Sequence, residues 1–577
     1  MIRVALFALI SGIAGAGCTG IIQLEPDPLG DLVQLVITPK TSELVIHDLS
    51  QPPAQQAFRA IGVFSDGARR DVTQQIVWTV DNPLPGGFLD PGVFTTTNQA
   101  AGGVGIVAMA DQVWATSEVT VRIDATIVDG AFPPSDPTLF DNAKPMILGD
   151  PLRSPQLLYP SDGTWFPQSL PNTVFQLARG EQNDAFQLSF DTDLMHLTVI
   201  TGADRWETGA VQNVIAQSNM GDLVTVSIAA ASSGDPGTIY QGSSIGVRYS
   251  ADYPDGPLYF WSAATNGIMR GGVGASFAGK LYPGDATCVG CHTVSRDGSR
   301  MAMGWGGESV SALQTIDVQT LATTISQSKL YEMGWATYSP DGSLILIASN
   351  GVLVLRDATT GLPINSPTGK VALPVGHYAT HPEWSPDGKY VAIAYTATQP
   401  SNIDVKSASI ARLLFDPMTH TFGGPEILVP ATAVDNYYFP KYSPDGAFLA
   451  FVHATAASHG APSAELELIG ANGGPVTALA AASHDVASVP GTPGTATQMP
   501  TWAPFQGQFA WLAFTSARPY GVVLPSGGRS QVWVSAIDLG HDVPGVDPSA
   551  AGFWLPCQDP TVVNNTPIWA PAAVMPQ

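Results

Sequence analysis

The chain has 577 residues, of which 45% are hydrophobic and only 12% charged, and its 59 glycines and 48 prolines favour short strands joined by turns over long helices. A chain of this length exceeds a single hydrophobic core, which predicts several domains. The formal net charge of −24 repels phosphate, which argues against nucleic acid as a partner and makes attachment to an anionic membrane depend on a covalent anchor or another protein.

The first residues of the chain predict export. A basic start at residues 1–3 leads into an apolar run over residues 4–13 that is too short to span a bilayer. Small residues then precede Cys18, and this segment resembles a bacterial lipobox, although Gly15 stands where leucine is usual. The resemblance implies that the Cys18 thiol is acylated after cleavage. The alternative is a plain secretory signal with an incidental cysteine.

Acylation of Cys18 divides the N-terminus into a lipoprotein signal peptide over residues 1–17 and a tether over residues 18–31. A lipid anchor on this residue implies a protein of the cell envelope. No aspartate follows Cys18 directly. Under the lipobox resemblance this implies the outer membrane, on its periplasmic face or at the cell surface.

Residues 32–125 predict a β-sandwich, because short runs of alternating apolar and polar residues are separated by turn residues. A turn at residues 65–67 is followed by a strand that ends at Trp78, and Gly92 opens another strand. This order resembles bacterial Ig-like domains of the invasin and intimin type. The resemblance implies a spacer or adhesion module without catalytic residues.

A second sandwich is predicted after a linker. Residues 126–151 are rich in proline, aspartate and glycine, which indicates the linker. In residues 152–255, the runs 186–190 and 223–228 alternate with a period of two, as strands with one buried face do. This part is loosely similar to a fibronectin type III domain.

The strongest pattern is a repeat of an aromatic residue followed by Ser-Pro-Asp-Gly. Such a turn joins two strands, since glycine accepts the backbone angles that a tight turn demands. Successive Asp-Gly landmarks are 44 to 58 residues apart, which is the length of one four-stranded blade. Three full copies and three looser ones begin at Tyr338, Trp384 and Tyr442, and at Val294, Trp502 and Trp569.

This motif resembles that of the TolB-type propellers, which are related to WD-repeat proteins. Six landmarks predict a six-bladed β-propeller over residues 256–577. The last landmark lies almost at the C-terminus, so we expect residues 258–261 and 267–270 to complete its blade and close the ring. The fold class is thus predicted to be all-β, with two sandwiches followed by the propeller, and the protein is expected to be a monomer.

One chemical motif stands out in the propeller sequence. Cys288 and Cys291 are separated by two residues, and His292 follows directly. This is the attachment signature of c-type haem, in which two thiols bind the vinyl groups and the histidine ligates the iron. The chain has only four cysteines, so composition does not explain the pair. We expect haem c as the cofactor and His292 as its proximal ligand.

Other interpretations of this motif remain open. Cys288 and Cys291 could form a reversible disulfide. Both thiolates and His292 could bind a metal ion, although no fourth ligand is evident. The thiols could also be buried beside a turn without a function, and the motif lies next to a predicted strand, whereas in small cytochromes it usually opens a helix. Cys557 could be a free thiol or could pair with another chain.

Alignment of the repeats adds candidate ligands. The column of Cys291 also holds Trp335, His381, Phe439 and Met499. In a propeller this part of the innermost strand faces one mouth of the central channel, so His381 or Met499 could be the distal ligand, with His377 as a third candidate. The alternative for His381 is a polar residue at a blade rim. Met301 and Met303 fall in core-strand columns, which predicts packing.

Two functions of different classes are consistent with these patterns. The first is an exported lipoprotein whose propeller carries one covalent haem c for electron transfer or redox sensing. The second is a haem-free module that binds a protein or a small molecule at the propeller mouth, or acts in adhesion. No hydrolase or nucleotide-binding motif supports an enzyme, because the Gly-x-Ser-x-Gly at residues 242–246 lies in a strand-rich region.

Overall fold

The computed structural model describes residues 30–282, 288–306, 312–484, 495–541 and 545–572. These residues form two compact units, Met1–Ala125 and Thr126–Gln577. The predicted all-β class is confirmed, since the described chain consists of strands and a few short helices. None of those helices has the length and apolar character needed to cross a membrane. Cys18, the signal peptide and most of the tether lie outside the described residues.

The first unit contains ten strands in three sheets. Their bounds are β1 Leu32–Thr38, β2 Thr41–Ile46, β3 Gln55–Ala57, β4 Arg59–Phe64, β5 Arg69–Asp71, β6 Val77–Val80, β7 Gly86–Asp90, β8 Val93–Thr96, β9 Gly102–Ala110 and β10 Val113–Val128. One sheet has the order β1-β4-β5 and another β3-β8-β7. In the third sheet, β2 pairs in parallel with β10, which continues through β9 to β6.

Alternation of side chains explains the core of this unit. Along β9, Val104, Ile106 and Ala108 are buried, and they face the same interior as Val119 and Val121 of β10. The intervening residues point to solvent, as the pleat of a half-buried strand requires. The likeness of this unit to bacterial Ig-like domains stays a prediction.

The second unit begins with a two-sheet sandwich. Its elements are β11 Met146–Leu148, β12 Gln156–Tyr159, β13 Thr164–Pro167, β14 Val174–Ala178, β15 Ala185–Asp191, β16 Met195–Thr201, β17 Arg205–Glu207, α1 Gln212–Ser218, β18 Val224–Ser232 and β19 Asp235–Ser250. One sheet has the order β12-β14-β17, and the other contains β11-β19-β18-β15-β16, with β13 also paired to β19. Phe175 and Phe190 meet edge to face between the sheets, with ring centroids 5.0 Å apart. The likeness to fibronectin type III domains stays a prediction.

The segment predicted as a linker is largely part of this sandwich. A 3-10 helix at Pro137–Phe140 places Leu139 and Phe140 in a core cluster with Ala185 and Ile200. Strand β11 pairs in parallel with β19. Residues 126–151 are rich in turn formers but also contain a few apolar side chains that pack in the sandwich core. Composition alone did not reveal this.

The rest of the second unit forms six antiparallel sheets. Its elements are β20 Leu258–Ser262, β21 Gly267–Gly271, β22 Gly279–Tyr282, β23 Val289–Val294, β24 Arg300–Trp305, β25 Ala312–Asp317, β26 Thr323–Glu332, β27 Trp335–Tyr338, β28 Leu344–Ser349, β29 Val352–Asp357, β30 Tyr378–Trp384, β31 Tyr390–Thr396, β32 Ser409–Asp416, β33 Thr421–Val429, β34 Asn436–Tyr442, β35 Phe448–Ala454, β36 Glu465–Gly470, β37 Thr477–Ala478, α2 Ala480–Ser483, β38 Gln498–Trp502, β39 Ala510–Ser516, β40 Gln531–Ile537, β41 Phe553–Trp554 and β42 Asn564–Trp569.

These sheets form a closed ring. Their orders are β22-β21-β20-β42, β23-β24-β25-β26, β27-β28-β29, β30-β31-β32-β33, β34-β35-β36-β37 and β38-β39-β40-β41. The strands β23, β27, β30, β34, β38 and β42 contact one another in that order and back to β23, so they are the innermost strands. Strand β42 pairs with β20, so the last strand completes a sheet begun some 300 residues earlier, as the sequence predicts. A ring of this kind is a β-propeller.

The Ser-Pro-Asp-Gly turns have a local explanation. Ser339 Oγ donates to Asp341 Oδ1 at 2.6 Å, and the same carboxylate oxygen accepts from the Ser343 amide at 3.0 Å. Gly342 has a φ of +68°, which glycine adopts without strain. Equivalent Ser–Asp bonds occur at Ser295, Ser385 and Ser443. Each turn is therefore stabilised within its own five residues.

Neighbouring sheets of the ring pack face to face through apolar side chains. Met301 and Met303 are fully buried between the β23 sheet and the sheet that holds β20, together with Tyr259 and Ile268. Both methionines thus pack in the core, as their repeat columns predict. The same kind of apolar layer joins the next sheets around the ring.

The sandwich of the second unit is attached to the β38 sheet. Asp252, just after β19, accepts hydrogen bonds from the Gln508 and Phe509 amides and from Trp511 Nε1, at 2.8, 3.0 and 3.0 Å. The Tyr159 hydroxyl accepts a further bond from the Trp554 amide at 3.0 Å. The sandwich and the propeller are therefore joined by polar contacts as well as by the chain.

Candidate functional site at the centre of the ring

A bulge recurs at one position of the innermost strands. The pairing register shifts there in β23, β30, β34, β38 and the β20–β42 pair. The bulged residues have positive φ angles, which are uncommon for residues other than glycine. They are Cys291 at 39°, His381 at 49°, Phe439 at 51°, Met499 at 55° and Thr566 at 52°. The bulge turns these side chains towards the axis, where they line two adjoining cavities.

Proline follows the bulge in most sheets, and His292 is the notable exception. Pro382, Pro440, Pro500 and Pro567 directly follow bulged residues. A proline fits there because the interrupted ladder needs no amide donor at that point. In the β23 strand, His292 takes the same place. A titratable side chain thus enters the channel wall where the repeat otherwise has an inert ring.

The channel itself is nearly filled. Trp335 contacts His381 and Phe439 with ring centroids 4.9 and 4.8 Å apart, and the His381 and Phe439 rings are 3.9 Å apart. The remaining cavity, also lined by His292 and Met499, has a volume of about 40 Å³. That is room for about one water molecule. The aromatic rings therefore close the channel just inside one mouth.

Two buried imidazoles face this small cavity. His292 and His381 are only 3% and 5% exposed, and neither ring makes a side-chain hydrogen bond of good geometry within the described protein. Burial lowers the pKa of His292 to about 4, although the nearby Tyr259 backbone favours the charged form, and burial lowers the pKa of His381 to about 3. The Lys441 ammonium adds to both shifts. Both imidazoles are therefore neutral at pH 7, which is the form that ligates metals.

The thiols of the motif lie together at the adjoining mouth. Cys288 and Cys291 are not joined by a disulfide, are partly exposed, and line one cavity of about 130 Å³. Met499 lines both this cavity and the channel cavity, and its sulfur accepts a weak hydrogen bond from Thr566 Oγ1 at 3.6 Å. His459 also lines the thiol cavity. Thiols, thioether and imidazoles of the predicted set are thus gathered around one end of the channel.

Other residues of the prediction lie elsewhere or have other roles. His377 lines neither cavity, and its ring stacks on Tyr395 with centroids 5.0 Å apart. Cys557 is a buried thiol beside Gly271, and burial raises its pKa to about 11. Among the residues that the structure describes, no three His, Cys, Asp or Glu side chains form a metal-binding group. In the described residues, both thiolates and His292 are therefore not arranged as a site for a bare metal ion.

A larger cavity, which we call the far-mouth cavity, lies at the other end of the channel. It has a volume of about 340 Å³ and lies beside the Ser-Pro-Asp-Gly turns. Glu383 and Lys441 lie in its wall, with Lys441 Nζ 2.5 Å from Glu383 Oε2. Lys441 also lines the channel cavity, so this ion pair separates the two spaces.

Sequence reasoning missed several of these residues. His459, Lys441 and Glu383 carry no motif of their own. The proline column after the bulge was the available signal, because Glu383 and Lys441 each follow one of its prolines. Arg296 could have been found in the same way, since it replaces the proline of the Ser-Pro-Asp-Gly motif.

Comparison with known proteins finds only weak structural similarity. No protein-family model matches the chain, and no curated protein does so either. It is similar to TolB from Acinetobacter baumannii, with 16% identity over 62% of this chain and 80% of that one and a TM-score of 0.38. A putative TolB from Agrobacterium tumefaciens has 15% identity over 52% of this chain and 90% of that one, with a TM-score of 0.29. A nidogen/laminin complex has 13% identity over 55% of this chain and 98% of that one, with a TM-score of 0.34. The propeller itself follows from the ring of sheets, and similarity this low carries no argument about function.

Proposed function

We propose that this protein is an exported propeller that carries one c-type haem at the channel mouth, attached to Cys288 and Cys291 and ligated by His292. One observation supports this proposal above the others. The buried His292 ring has no hydrogen bond of good geometry among the described residues, and His292 directly follows Cys291, which lines one cavity together with Cys288 without a disulfide between them. Buried polar atoms in native proteins usually have hydrogen-bond or ligand partners, so we expect the His292 ring to have one.

Two thiols and an imidazole are the groups that a c-type haem requires. The volume of the thiol cavity limits where the haem could bind. Each thiol can add across one vinyl group, so that the S–H hydrogen and the sulfur both end on the porphyrin and nothing is lost. The thiol cavity of about 130 Å³ is smaller than the 300 Å³ or more of typical cofactor sites. The cavity would therefore not enclose the whole group, and the partly exposed Cys288 and Cys291 would be the residues that hold it.

Bound haem would supply one-electron chemistry, and the protein residues would set its environment. His292 would hold the iron because it directly follows Cys291, although its ring lines the channel cavity and not the thiol cavity. Trp335 and Phe439 exclude water beneath it, because their rings fill the channel. Of the candidate distal ligands, Met499 and His459 line the thiol cavity, whereas His381 lines only the channel cavity. His381 is therefore the weaker candidate.

The proposal includes export. Covalent attachment of c-type haem takes place outside the cytoplasm, and the predicted lipobox at Cys18 would deliver the chain there and tether it to the outer membrane. The charge of −24 agrees with a covalent anchor, since anionic lipid repels such a surface.

Haem content tests the proposal directly. The full chain would be expressed with its own leader in a host that has the c-type maturation machinery. We expect a haem-stained band on a denaturing gel and a pyridine haemochrome spectrum with about one haem per chain. Cys288→Ala and Cys291→Ala should each weaken the staining, and the double variant should abolish it.

The control is a cysteine outside the motif. Cys557→Ala removes a buried thiol next to Gly271 and should leave the haem content unchanged. An unstained wild-type band, with a matured cytochrome stained in the same host, would overturn the proposal. The haem-free binding module would then remain, which the far-mouth cavity favours independently of the thiols.

A further inference from the structure

Arg296 interrupts the proline ring of the far-mouth cavity. In five of the six turns the residue after the serine or alanine is a proline: Pro340, Pro386, Pro444, Pro504 and Pro571. The β23 turn has Arg296 instead, and this residue lines the far-mouth cavity. A single cation thus stands in a column that is otherwise apolar and without a charge.

The guanidinium reaches across the mouth. Arg296 Nη2 donates to the Pro444 carbonyl at 3.0 Å. The β34 sheet that precedes Pro444 is the third neighbour of the β23 sheet around the ring, which is the opposite side of the channel. Arg296 is exposed at this mouth, and this bond uses one of the several N–H donors that a planar guanidinium carries.

The charges inside the cavity leave an excess of one cation. Arg296 and Lys441 are both near Glu383, which bonds to Lys441. Burial lowers the pKa of Arg296, and the Glu383 carboxylate partly offsets this effect. Lys441 Nζ makes one hydrogen bond to the described residues, and an ammonium has three donors. One further anion would balance the three groups.

The acidic residues of the rim form no ion pair with Arg296 or Lys441 within the described part of the chain, so they do not neutralise the excess positive charge in the cavity. Each of Asp297, Asp341, Asp387 and Asp445 is bonded back to the serine two residues before it and to an amide of its own turn. None of them lines the cavity. The remaining negative charge of the protein is more distant, and salt screens it beyond about 8 Å.

The walls of the cavity are mixed, and their apolar part includes tryptophans that are held in place. Trp384, Trp502 and Trp569 line it, and their indole nitrogens donate to the Gly388, Lys441 and Gly256 carbonyls at 3.2, 3.1 and 3.2 Å. Because their polar edges are engaged, these residues offer only ring surface to a ligand. A volume of about 340 Å³ is at the small end of the range for small-molecule sites.

We propose that the far-mouth cavity binds a small carboxylate with an apolar body, whose carboxylate meets Arg296 and Lys441 while its body packs among the tryptophans. The planar guanidinium suits a carboxylate, which it can bind through two parallel hydrogen bonds. Preformed walls favour binding because little side-chain freedom is lost. This site is independent of the haem proposal, since it uses none of the thiols and lies at the other end of the channel.

Phenylacetate, with phenylacetamide as its neutral counterpart, tests the site by titration calorimetry on the full chain. We expect saturable binding of phenylacetate and an affinity for the amide that is roughly tenfold to a hundredfold weaker, because a hydrogen bond to a charged group is lost. Arg296→Pro, which restores the residue of the other five turns, should weaken phenylacetate binding by about the same factor. Arg296→Gln serves as a second variant if the proline variant does not fold.

Arg529→Gln is the matched control, because it removes an exposed arginine away from the far-mouth cavity at the same cost in net charge. It should bind phenylacetate as the wild type does. Equal affinity for the acid and the amide, absence of binding to the wild type, or full binding by the Arg296 variants would each overturn the proposal.

Discussion

Lys441 Nζ lies 2.5 Å from Glu383 Oε2, and this pair forms the partition between the channel cavity and the far-mouth cavity. The two side chains come from neighbouring sheets and are only 21% and 19% exposed. Partial burial makes each charge dependent on the other, because water can solvate neither fully. The pair therefore links two adjacent sheets at the axis, and its Lys441 ammonium adds to the lowering of the His381 pKa by burial.

Lys441→Met should destabilise the propeller. The change leaves the Glu383 carboxylate partly buried without its cation, which costs about 2 kcal/mol in the free energy of unfolding. The measurement is urea unfolding at pH 7. The double variant Lys441→Met/Glu383→Gln should recover most of the loss, since no unpaired charge remains. A single variant as stable as the wild type would show that the ion pair contributes nothing.

Acid should destabilise the haem-free protein through its two buried imidazoles. The folded pKa values of about 4 for His292 and about 3 for His381 lie below the ordinary 6.5, so the unfolded chain binds more protons between those values. Stability is thus fully present above pH 6.5 and falls as the pH is lowered towards 4. Each histidine should contribute a loss of about 3 kcal/mol by pH 4.

The variant His381→Phe isolates one of these two contributions. Phenylalanine keeps an aromatic ring against Trp335 and cannot be protonated, so its unfolding free energy should decline less between pH 7 and pH 4 than that of the wild type. The expected difference in decline is about 3 kcal/mol. Parallel pH profiles for the two proteins would contradict the buried, neutral state of His381.

Asp252→Ala should loosen the sandwich from the β38 sheet. The aspartate accepts bonds from two amides and from Trp511 Nε1, and its removal leaves these donors without their acceptor. We expect a loss of about 3 kcal/mol in the free energy of unfolding. Hydrogen exchange at the Gln508 and Phe509 amides should also accelerate. The exposed neighbour provides the control, because Asp255→Ala should change neither quantity.

Cys18→Ser should abolish lipid attachment. If the thiol is acylated, the wild type should incorporate labelled fatty acid and partition into the detergent phase of Triton X-114, whereas the serine variant should stay in the aqueous phase. Cys557→Ala should be labelled like the wild type. An unlabelled wild type would leave the plain secretory signal as the explanation of the N-terminus.

The alignment of the repeats predicted much of the arrangement at the channel axis. They placed Cys291, His381 and Met499 at the start of the innermost strands, and the structure has them around the same end of the channel. The columns did not show that His292 and His381 face a closed space of about 40 Å³. Closure depends on how far Trp335 and Phe439 reach across the axis, which involves sheets far apart in the sequence.

The position of His377 was not predicted by the sequence. From the sequence it was a third candidate for the distal ligand. It lies just before β30, in a turn, where its ring stacks on Tyr395 away from both cavities. Likewise, turn-rich composition predicted a linker over 126–151, although Leu139 and Phe140 are buried in the sandwich core.

The amino-acid sequence alone determined the turns and their spacing, because each Ser-Pro-Asp-Gly turn is stabilised by bonds within five residues and glycine supplies its positive φ. It also determined the strands between them, through the alternation of apolar side chains. Only the tertiary structure decided which side chains meet at the axis. Closing the ring brings Arg296 to Pro444 and Lys441 to Glu383 from different sheets, and no local interaction encodes those distances.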